Sequence, residues 1–279
     1  MRKVVKPSVD AVVRRIIGSM PKCETEIRRT RVPNTVRVAT TADCGQNTAP
    51  STLSIYSMTR FSTESDLVLL AADLLVRPPG SRLPFLVYRE VPTPNGSTDL
   101  AAARFRKDLN ANLAALPARW AYAASSIPVR KTFSIAWFAN IAGTSRSRAS
   151  AVITTLVDCG LVQPFELNGT TSFVKIEPIR LPATRIFAFE AKLRDWRKAL
   201  RQAHNNLRYA DKSWVIMDES HSGPALKNKK LFRQEKVGLI TVSTDGRMKE
   251  EVRAITTGLM NPWHRWEVAW RLWQTYISP

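Results

Sequence analysis

The spacing of hydrophobic and polar positions becomes regular from Thr63 onward. The segment TESDLVLLAADLLV predicts a helix, since Thr63 is a residue type that caps helix N-termini and the apolar positions that follow share one face: Leu67, Leu70, Ala71 and Leu74. PFLVYREV then has the composition of a strand, PTPNGS that of a turn, and TDLAAARF that of a second strand. We expect a helix followed by an antiparallel hairpin.

A different pattern occupies residues 106–182. FSIAWFANIAG and TSRSRASAVITTLVDCG predict two helices, and LVQPFELNGTTSFVKIEP predicts two strands around an Asn-Gly pair suited to a type I′ turn. Helix, turn, helix and hairpin in this order resemble a winged helix-turn-helix. The resemblance implies contact with a DNA groove at the exposed start of the second helix, through Ser145, Arg146, Ser147, Arg148 and Ser150. Such units also bind proteins, so that alternative stays open.

The first pattern resumes after residue 182. RIFAFEAKL predicts a strand, RDWRKALRQAHNNLRYA a helix, and KSWVIM a further strand, while KVGLITVSTDGRMKEEVRA adds a strand and an Asp-Gly turn. The segment NPWHRWEVAWRLWQTYI predicts a helix whose tryptophans share one face. We expect this stripe to pack in the core: Trp263, Trp266, Trp270 and Trp273.

The charge of the chain points to a polyanionic partner. There are 42 Lys and Arg against 23 Asp and Glu, a formal net charge of +19, which favours nucleic acid, here double-stranded DNA.

No apolar run predicts a membrane span or an export signal, and the widely spaced cysteines favour neither zinc nor disulfides, so we expect a cytoplasmic protein. Residues 1–50 predict a basic arm, either partly ordered or contacting nucleic acid.

Two opposite charges stand at the end of the strand RIFAFEAKL. Side chains two apart share a strand face, so Glu190 and Lys192 are expected to project together, while Phe189 and Ala191 point into the opposite layer. By itself such a pair is explained by a surface salt bridge, which contributes little to stability. Acidic residues in the upstream elements give the pair a second interpretation.

Asp99 begins the second strand of the predicted hairpin, and Glu64 begins the helix before it. Helix with Glu64, hairpin with Asp99, and strand with Glu190-x-Lys192 followed by a helix resemble the core of the PD-(D/E)xK nuclease superfamily. The resemblance implies that Glu64, Asp99, Glu190 and the main-chain carbonyl of Ala191 hold Mg²⁺ or Mn²⁺, ligands that suit a hard cation. Lys192 would orient or activate the attacking water.

Two residues of the following helix have a supporting place in this resemblance. Gln202 stands where some relatives keep a polar residue facing the metal site, and Tyr209 follows at looser spacing than a QxxxY pattern; ordinary surface positions explain both equally well. Thr98 stands where the proline that names the family would precede the aspartate.

The predicted domains follow from the distance between the acidic residues. Asp99 and Glu190 are 190 − 99 = 91 residues apart, too far for adjacent strands unless residues 106–182 are an insertion. We expect an α/β fold, a restriction-endonuclease-like mixed sheet flanked by helices and interrupted by a winged helix-turn-helix. The nuclease-like domain would comprise residues 51–105 and 183–279, and the DNA-binding domain residues 106–182.

Two functions remain open at this point. The first is a metal-dependent DNA endonuclease with Asp99, Glu190 and Lys192 as catalytic residues, acting as a homodimer or with a partner subunit if it cuts both strands. The second is a non-catalytic DNA-binding regulator or assembly factor that keeps the nuclease-like fold as a scaffold. RNA binding has weaker support, because no aromatic-rich sheet motif for stacking bases is visible.

Overall fold

The computed structural model describes residues 61–76, 85–94, 96–258 and 261–277. The chain divides into two compact units; the smaller includes residues 109–180, and the described part of the larger lies in 61–108 and 181–277. The smaller unit thus begins three residues after the expected boundary at 106 and ends two residues before 182. The expected basic arm, residues 1–50, lies outside the described residues.

The larger unit is built on one mixed sheet. Its strands are β1 (Leu86–Thr93), β2 (Gly96–Phe105), β6 (Ala183–Lys192), β7 (Lys212–Asp218), β8 (Gly238–Val242) and β9 (Met248–Val252). Its helices are α1 (Glu64–Leu74), α5 (Trp196–Asn206), α6 (Gly223–Lys227), α7 (Lys229–Gln234) and α8 (Pro262–Ile277). The sheet order is β1-β2-β6-β7-β8-β9, with β6, β7 and β8 parallel and the other neighbours antiparallel. The predicted α/β class is confirmed.

Helices cover both faces of this sheet because its strands are apolar on both sides. In β6, Phe187, Phe189 and Ala191 pack in the layer that includes α1. Ile186 and Ala188 pack in the opposite layer, which includes α8. Helices α5 and α7 pack on the same face of the sheet as α8, against β7 and β8. Strand β6 is therefore buried on both faces.

Strands β2 and β6 are neighbours despite the long stretch between them. They pair antiparallel with Leu100 opposite Phe189, which is the juxtaposition expected if the intervening residues form a separate unit. The helices α6 and α7 were not predicted, because both are short and their apolar positions are few: Ala225, Leu226, Leu231 and Phe232.

The last helix is anchored by its tryptophan stripe. Trp266, Trp270 and Trp273 are buried as predicted, and the first two stack with ring centroids 5.5 Å apart. Arg265 is also buried and pairs with Asp211 at 3.0 Å, a carboxylate that in turn accepts a hydrogen bond from the Ile186 amide. Within the part of the chain that the structure describes, no helix has the length and apolar content needed to cross a membrane.

The smaller unit combines three helices with a three-stranded sheet. Its elements are α2 (Ala118–Ser125), β3 (Thr132–Phe133), α3 (Ile135–Ile141), α4 (Arg146–Asp158), β4 (Val162–Leu167) and β5 (Thr170–Lys175), with sheet order β3-β5-β4. The two predicted helices and the hairpin are present as α3, α4, β4 and β5, with Asn168 and Gly169 both at positive φ in the turn. Helix α2 and strand β3 were not predicted.

A buried lysine ties the sheet of the smaller unit to α2. The Lys175 ammonium is 2% exposed and donates hydrogen bonds to the carbonyls of Ala124 (2.8 Å) and Ser125 (3.2 Å) at the end of that helix, and to Ile127. Burial lowers the pKa of Lys175 to about 8. The cation satisfies carbonyls that a helix C-terminus leaves without partners.

One close approach in the larger unit gives a test of its packing. A Cβ atom added at Gly238 would lie 2.0 Å from Cδ1 of the fully buried Trp214. We expect Gly238→Ala to lower the free energy of unfolding by about 2–3 kcal/mol, because the indole must shift within a closed core. Gly223→Ala is the control, since nothing lies within 4 Å of its added Cβ. Equal urea midpoints for the two variants would contradict this packing.

Candidate active site

The first acidic residue is positioned by the start of α1. Thr63 caps the helix as predicted: its Oγ1 accepts a hydrogen bond from the Asp66 amide (3.2 Å), and its own amide donates to Asp66 Oδ2 (2.8 Å). Glu64 is therefore the first helical residue, with its side chain 49% exposed.

Asp99 lies where β2 departs from simple alternation. Leu100 packs in the layer of α1, whereas the Thr98 hydroxyl hydrogen-bonds Asn206 of α5, in the opposite layer. Residues two apart normally share a strand face, so the strand rotates at Asp99. Its partner position in β1, Glu90, has φ of 49°, in the left-handed region. The Asp99 carboxylate consequently turns toward β6 and accepts a hydrogen bond from the Ala191 amide at 2.8 Å.

Glu190 is the most deeply enclosed acid of the site, with 1% of its surface exposed. Its Oε1 accepts hydrogen bonds from Thr98 Oγ1 (2.9 Å) and Asn206 Nδ2 (2.6 Å), and the same Asn206 nitrogen donates to Thr98 Oγ1 (3.1 Å). Its other oxygen, Oε2, is buried and has no hydrogen-bond partner among the described residues. One carboxylate oxygen is fixed and the other is left able to accept a proton or bind a cation.

The environment of Glu190 favours its neutral form. Burial raises its pKa to about 7, and the nearby negative charge of Asp99 adds to the increase. The hydrogen bonds from Asn206 and Thr98 and the charge of Lys192 act in the opposite direction without cancelling it. A buried carboxyl whose pKa is raised by burial and by a second acid is typical of functional sites.

Lys192 connects the end of β6 to Glu64 and Asp99. Its Nζ lies 2.8 Å from Glu64 Oε2 and 3.7 Å from Asp99 Oδ2. Burial lowers the pKa of the Lys192 ammonium, but the hydrogen bond with Glu64 and the charge of Asp99 outweigh it, so the pKa is raised above its usual value. Lys192 is therefore a cation at neutral pH.

The structure brings together the four charged residues identified in the sequence, but not in the expected way. Glu190 is enclosed beneath α5, whereas Lys192 extends past the strand end to Glu64, so the two do not form one shared polar face. Glu64 is engaged by Lys192, and its role as a metal ligand remains a prediction, as does that of the Ala191 carbonyl.

The residue of α5 that touches the site is Asn206, which sequence reasoning missed. Of the two supporting residues, Gln202 lies in α5 with its Oε1 buried and without a hydrogen-bond partner among the described residues, whereas Tyr209 is buried after the helix has ended. The sequence spacing could have identified Asn206, because it is four residues after Gln202, the separation that places two polar side chains on one helical face.

The candidate site offers few oxygen ligands to Mg²⁺. Among the described residues, no three His, Cys, Asp or Glu side chains are grouped so as to hold a metal ion. The predicted set has three carboxylates, Glu64, Asp99 and Glu190, and the main-chain carbonyl of Ala191; with Glu64 bound to Lys192, two carboxylates and the carbonyl remain. The buried Oε2 of Glu190, which lacks a partner, fits such a set, since Mg²⁺ binds few protein oxygens and keeps several waters.

The residues predicted to contact DNA lie around the start of α4. Ser145 is the N-cap and accepts a hydrogen bond from the Arg148 amide (3.4 Å), and its Oγ is 3.1 Å from Ser147 Oγ. Arg146 and Arg148 are exposed, and Ser150 is half-buried. The buried face of α4 is formed by Ala149, Val152, Ile153 and Leu156.

A second polar cluster lies just after β7. Asp218 is buried and its Oδ2 accepts hydrogen bonds from Ser220 Oγ (2.6 Å) and His221 Nδ1 (2.8 Å). Burial by itself would raise the pKa of Asp218, but the hydrogen bonds from Ser220 and His221 outweigh it, so the pKa is below its usual value. Because Ser220 and Asp218 both approach the same ring nitrogen, the group does not have the arrangement of a Ser-His-Asp nucleophile.

Comparisons with known proteins leave the candidate site without an independent assignment. No family model, curated protein or solved structure matches the chain.

The raised pKa of Glu190 predicts how stability depends on pH. Because the pKa of Glu190 in the folded protein, about 7, exceeds the ordinary value of 4.5 for a glutamate carboxyl, folding favours the protonated form, and this contribution to stability is lost as pH rises through 7. In EDTA, we expect Glu190→Gln to gain stability relative to the unmodified protein by about 3 kcal/mol between pH 4 and pH 8. Urea unfolding at several pH values measures this difference. Glu64→Gln is the control, and a difference independent of pH would contradict the prediction.

Proposed function

We propose that the protein is a DNA endonuclease that uses Mg²⁺ or Mn²⁺ to hydrolyse phosphodiester bonds. The observation that carries the proposal is the buried Glu190 carboxylate, which has one oxygen held by Thr98 and Asn206 and the other unpartnered, close to Asp99 and Lys192. Burying a carboxylate without satisfying both oxygens is unfavourable unless a proton or cation compensates.

The side chains divide into groups that bind and groups that position. Asp99 and Glu190, with the Ala191 carbonyl, would hold the metal, which supplies a water of lowered pKa and charge stabilisation for phosphate. Thr98 and Asn206 fix Glu190 Oε1, which leaves Oε2 as its binding atom. Glu64 holds the Lys192 ammonium at the edge of the site.

Lys192 acts in this proposal as a charge and not as a base. Its raised pKa keeps it protonated at neutral pH, so it is suited to stabilise the negative charge that develops on a phosphate oxygen. A proton acceptor would require a lowered pKa, which neither its ion pair with Glu64 nor its proximity to Asp99 allows.

Cleavage of supercoiled plasmid tests the assignment. With Mg²⁺ or Mn²⁺, we expect nicked or linear product that EDTA abolishes. Asp99→Asn, Glu190→Gln and Lys192→Met should each reduce the rate by about 100-fold or more, because each removes a metal ligand or the stabilising cation. Asp73→Asn, which removes an exposed acid from the far end of α1, is the control and should cleave normally.

The variants also separate the two candidate functions. Cleavage that survives Lys192→Met would remove that residue from the mechanism. DNA binding without metal-dependent cleavage, and without metal-binding heat that depends on Asp99, would favour the second candidate, a non-catalytic DNA-binding protein. The exposed Arg146 and Arg148 at the start of α4 favour DNA binding under either function.

The contribution of the smaller unit is tested by removing these two arginines. We expect the double variant Arg146→Gln and Arg148→Gln to weaken binding to duplex DNA and to reduce the slope of log affinity against log salt by about 2, one unit for each phosphate contact. The double variant Arg119→Gln and Lys131→Gln removes two exposed cations from the same unit and should leave the slope unchanged. Equal slopes for the two variants would contradict the assignment.

A further inference from the structure

The outer face of α5 and the residues flanking it carry a stripe of positive charge. Most of the exposed residues here are basic: Arg194, Arg197, Lys198, Arg201 and Arg208. The acid among them, Asp195, is occupied at the N-cap, where its Oδ1 accepts a hydrogen bond from the Lys198 amide at 3.0 Å. We call these five cations the α5 stripe.

The α5 stripe is not neutralised within the described parts of the larger unit, where none of the five cations forms an ion pair. Elsewhere in the same unit, exposed basic residues do have acidic partners: Arg247 pairs with Asp245, Lys249 with Glu251, and Arg271 with Glu267. Solubility alone does not explain why the cations of this face lack acidic partners among the described residues when those elsewhere have them. Five neighbouring cations that form no ion pair with the described residues generate a positive potential that attracts a polyanion.

Helix α7 extends the positive surface beside α5. The two helices touch through Trp196 and Phe232, whose ring centroids are 5.8 Å apart, and α7 adds the exposed Lys230 and Arg233. Arg197 lies with its guanidinium 4.6 Å from the centre of the Trp196 ring, which holds it in a defined position.

The groove between these helices contains one acid. Its lining includes Arg197, Arg201 and His204, together with Glu235, whose Oε2 is 2.8 Å from His204 Nδ1. Because Glu235 is already paired, it leaves the two arginines of the groove available to a ligand.

The spacing and position of the α5 stripe fit a nucleic-acid backbone that leads to the candidate active site. Arg197 and Arg201 are four residues apart in α5, about 6 Å along the helix axis, and Arg194 precedes the helix. One DNA strand carries a phosphate about every 3.4 Å of the duplex axis, so both arginines can reach the same few phosphates. Helix α5 begins four residues after Lys192, and its opposite face contacts Glu190 through Asn206.

We propose that the α5 stripe, with Lys230 and Arg233 of α7, binds the phosphate backbone of duplex DNA and guides it to the site formed by Asp99, Glu190 and Lys192. This inference rests on the proposed nuclease function for the identity of its ligand. It assigns to the larger unit a DNA surface of its own, which recognises charge and not base sequence.

Binding of duplex DNA in EDTA tests this surface without cleavage. A variant in which Arg194, Arg197, Lys198 and Arg201 are all changed to Gln is compared with a control in which Arg247, Lys249, Arg253 and Arg271 are changed to Gln. Both lose four positive charges, from +19 to +15, so net charge is matched. We expect the α5 variant to raise Kd at least tenfold at ~0.1 M salt and to reduce the salt slope by about 3–4, with the control unchanged.

Two further comparisons make the result interpretable. Changing Arg194, Arg197 and Arg201 to Lys keeps the charge and should preserve the slope, which excludes misfolding at these positions as the cause. Equal affinity and slope for the α5 variant and its control would overturn the proposal. Loss of binding in the α5 variant, in a protein that never cleaves DNA, would support the surface while the nuclease assignment fails. Cleavage that requires Asp99 but is unaffected by the α5 variant would support the nuclease assignment and overturn the proposed DNA surface.

Discussion

The burial of the Glu190 carboxylate is the constraint that explains the arrangement of β2 and α5 around it. A carboxylate removed from water needs hydrogen bonds or a compensating charge. Thr98 reaches one of its oxygens only because β2 rotates at Asp99, and Asn206 reaches the same oxygen from α5. Both bonds fall on Oε1, so the two neighbouring elements hold the side chain while its Oε2 stays without a partner. Burial, together with the negative charge of Asp99, raises the pKa of this carboxyl to about 7.

Helix α5 links this enclosure to the surface of the larger unit. Its inner face supplies Asn206 and the apolar residues that cover β7, whereas its outer face is almost entirely basic. Because α5 starts close to the end of β6, any polyanion bound along the helix lies near Lys192. The same helix therefore positions a buried acid and, under the proposed function, would attract the polyanion on which the site acts.

Much of this arrangement could be predicted from the sequence, because it depends on local periodicity. The helix starting after Thr63, the strand that ends at Lys192 and the pairing of β2 with β6 follow from spacing and from the recognisable insertion. The roles of Thr98 and Asn206 could not be predicted, because they require the strand rotation at Asp99, a tertiary feature with no periodic signature. The pairing of Lys192 with Glu64 joins side chains 128 residues apart, which no local pattern specifies.

The insertion is compatible with the site because its two ends are held together. The Arg106 amide donates to the Pro182 carbonyl at 3.0 Å, and Arg106 Nε donates to the Leu181 carbonyl at 3.1 Å. Closing the chain at this point lets β2 and β6 pair as if they were consecutive, so the length of the intervening segment has little effect on the sheet. Asp99 and Glu190 are thereby held in register independently of what the smaller unit binds. Under the proposed function, the smaller unit could change its DNA specificity without altering the geometry of the acids.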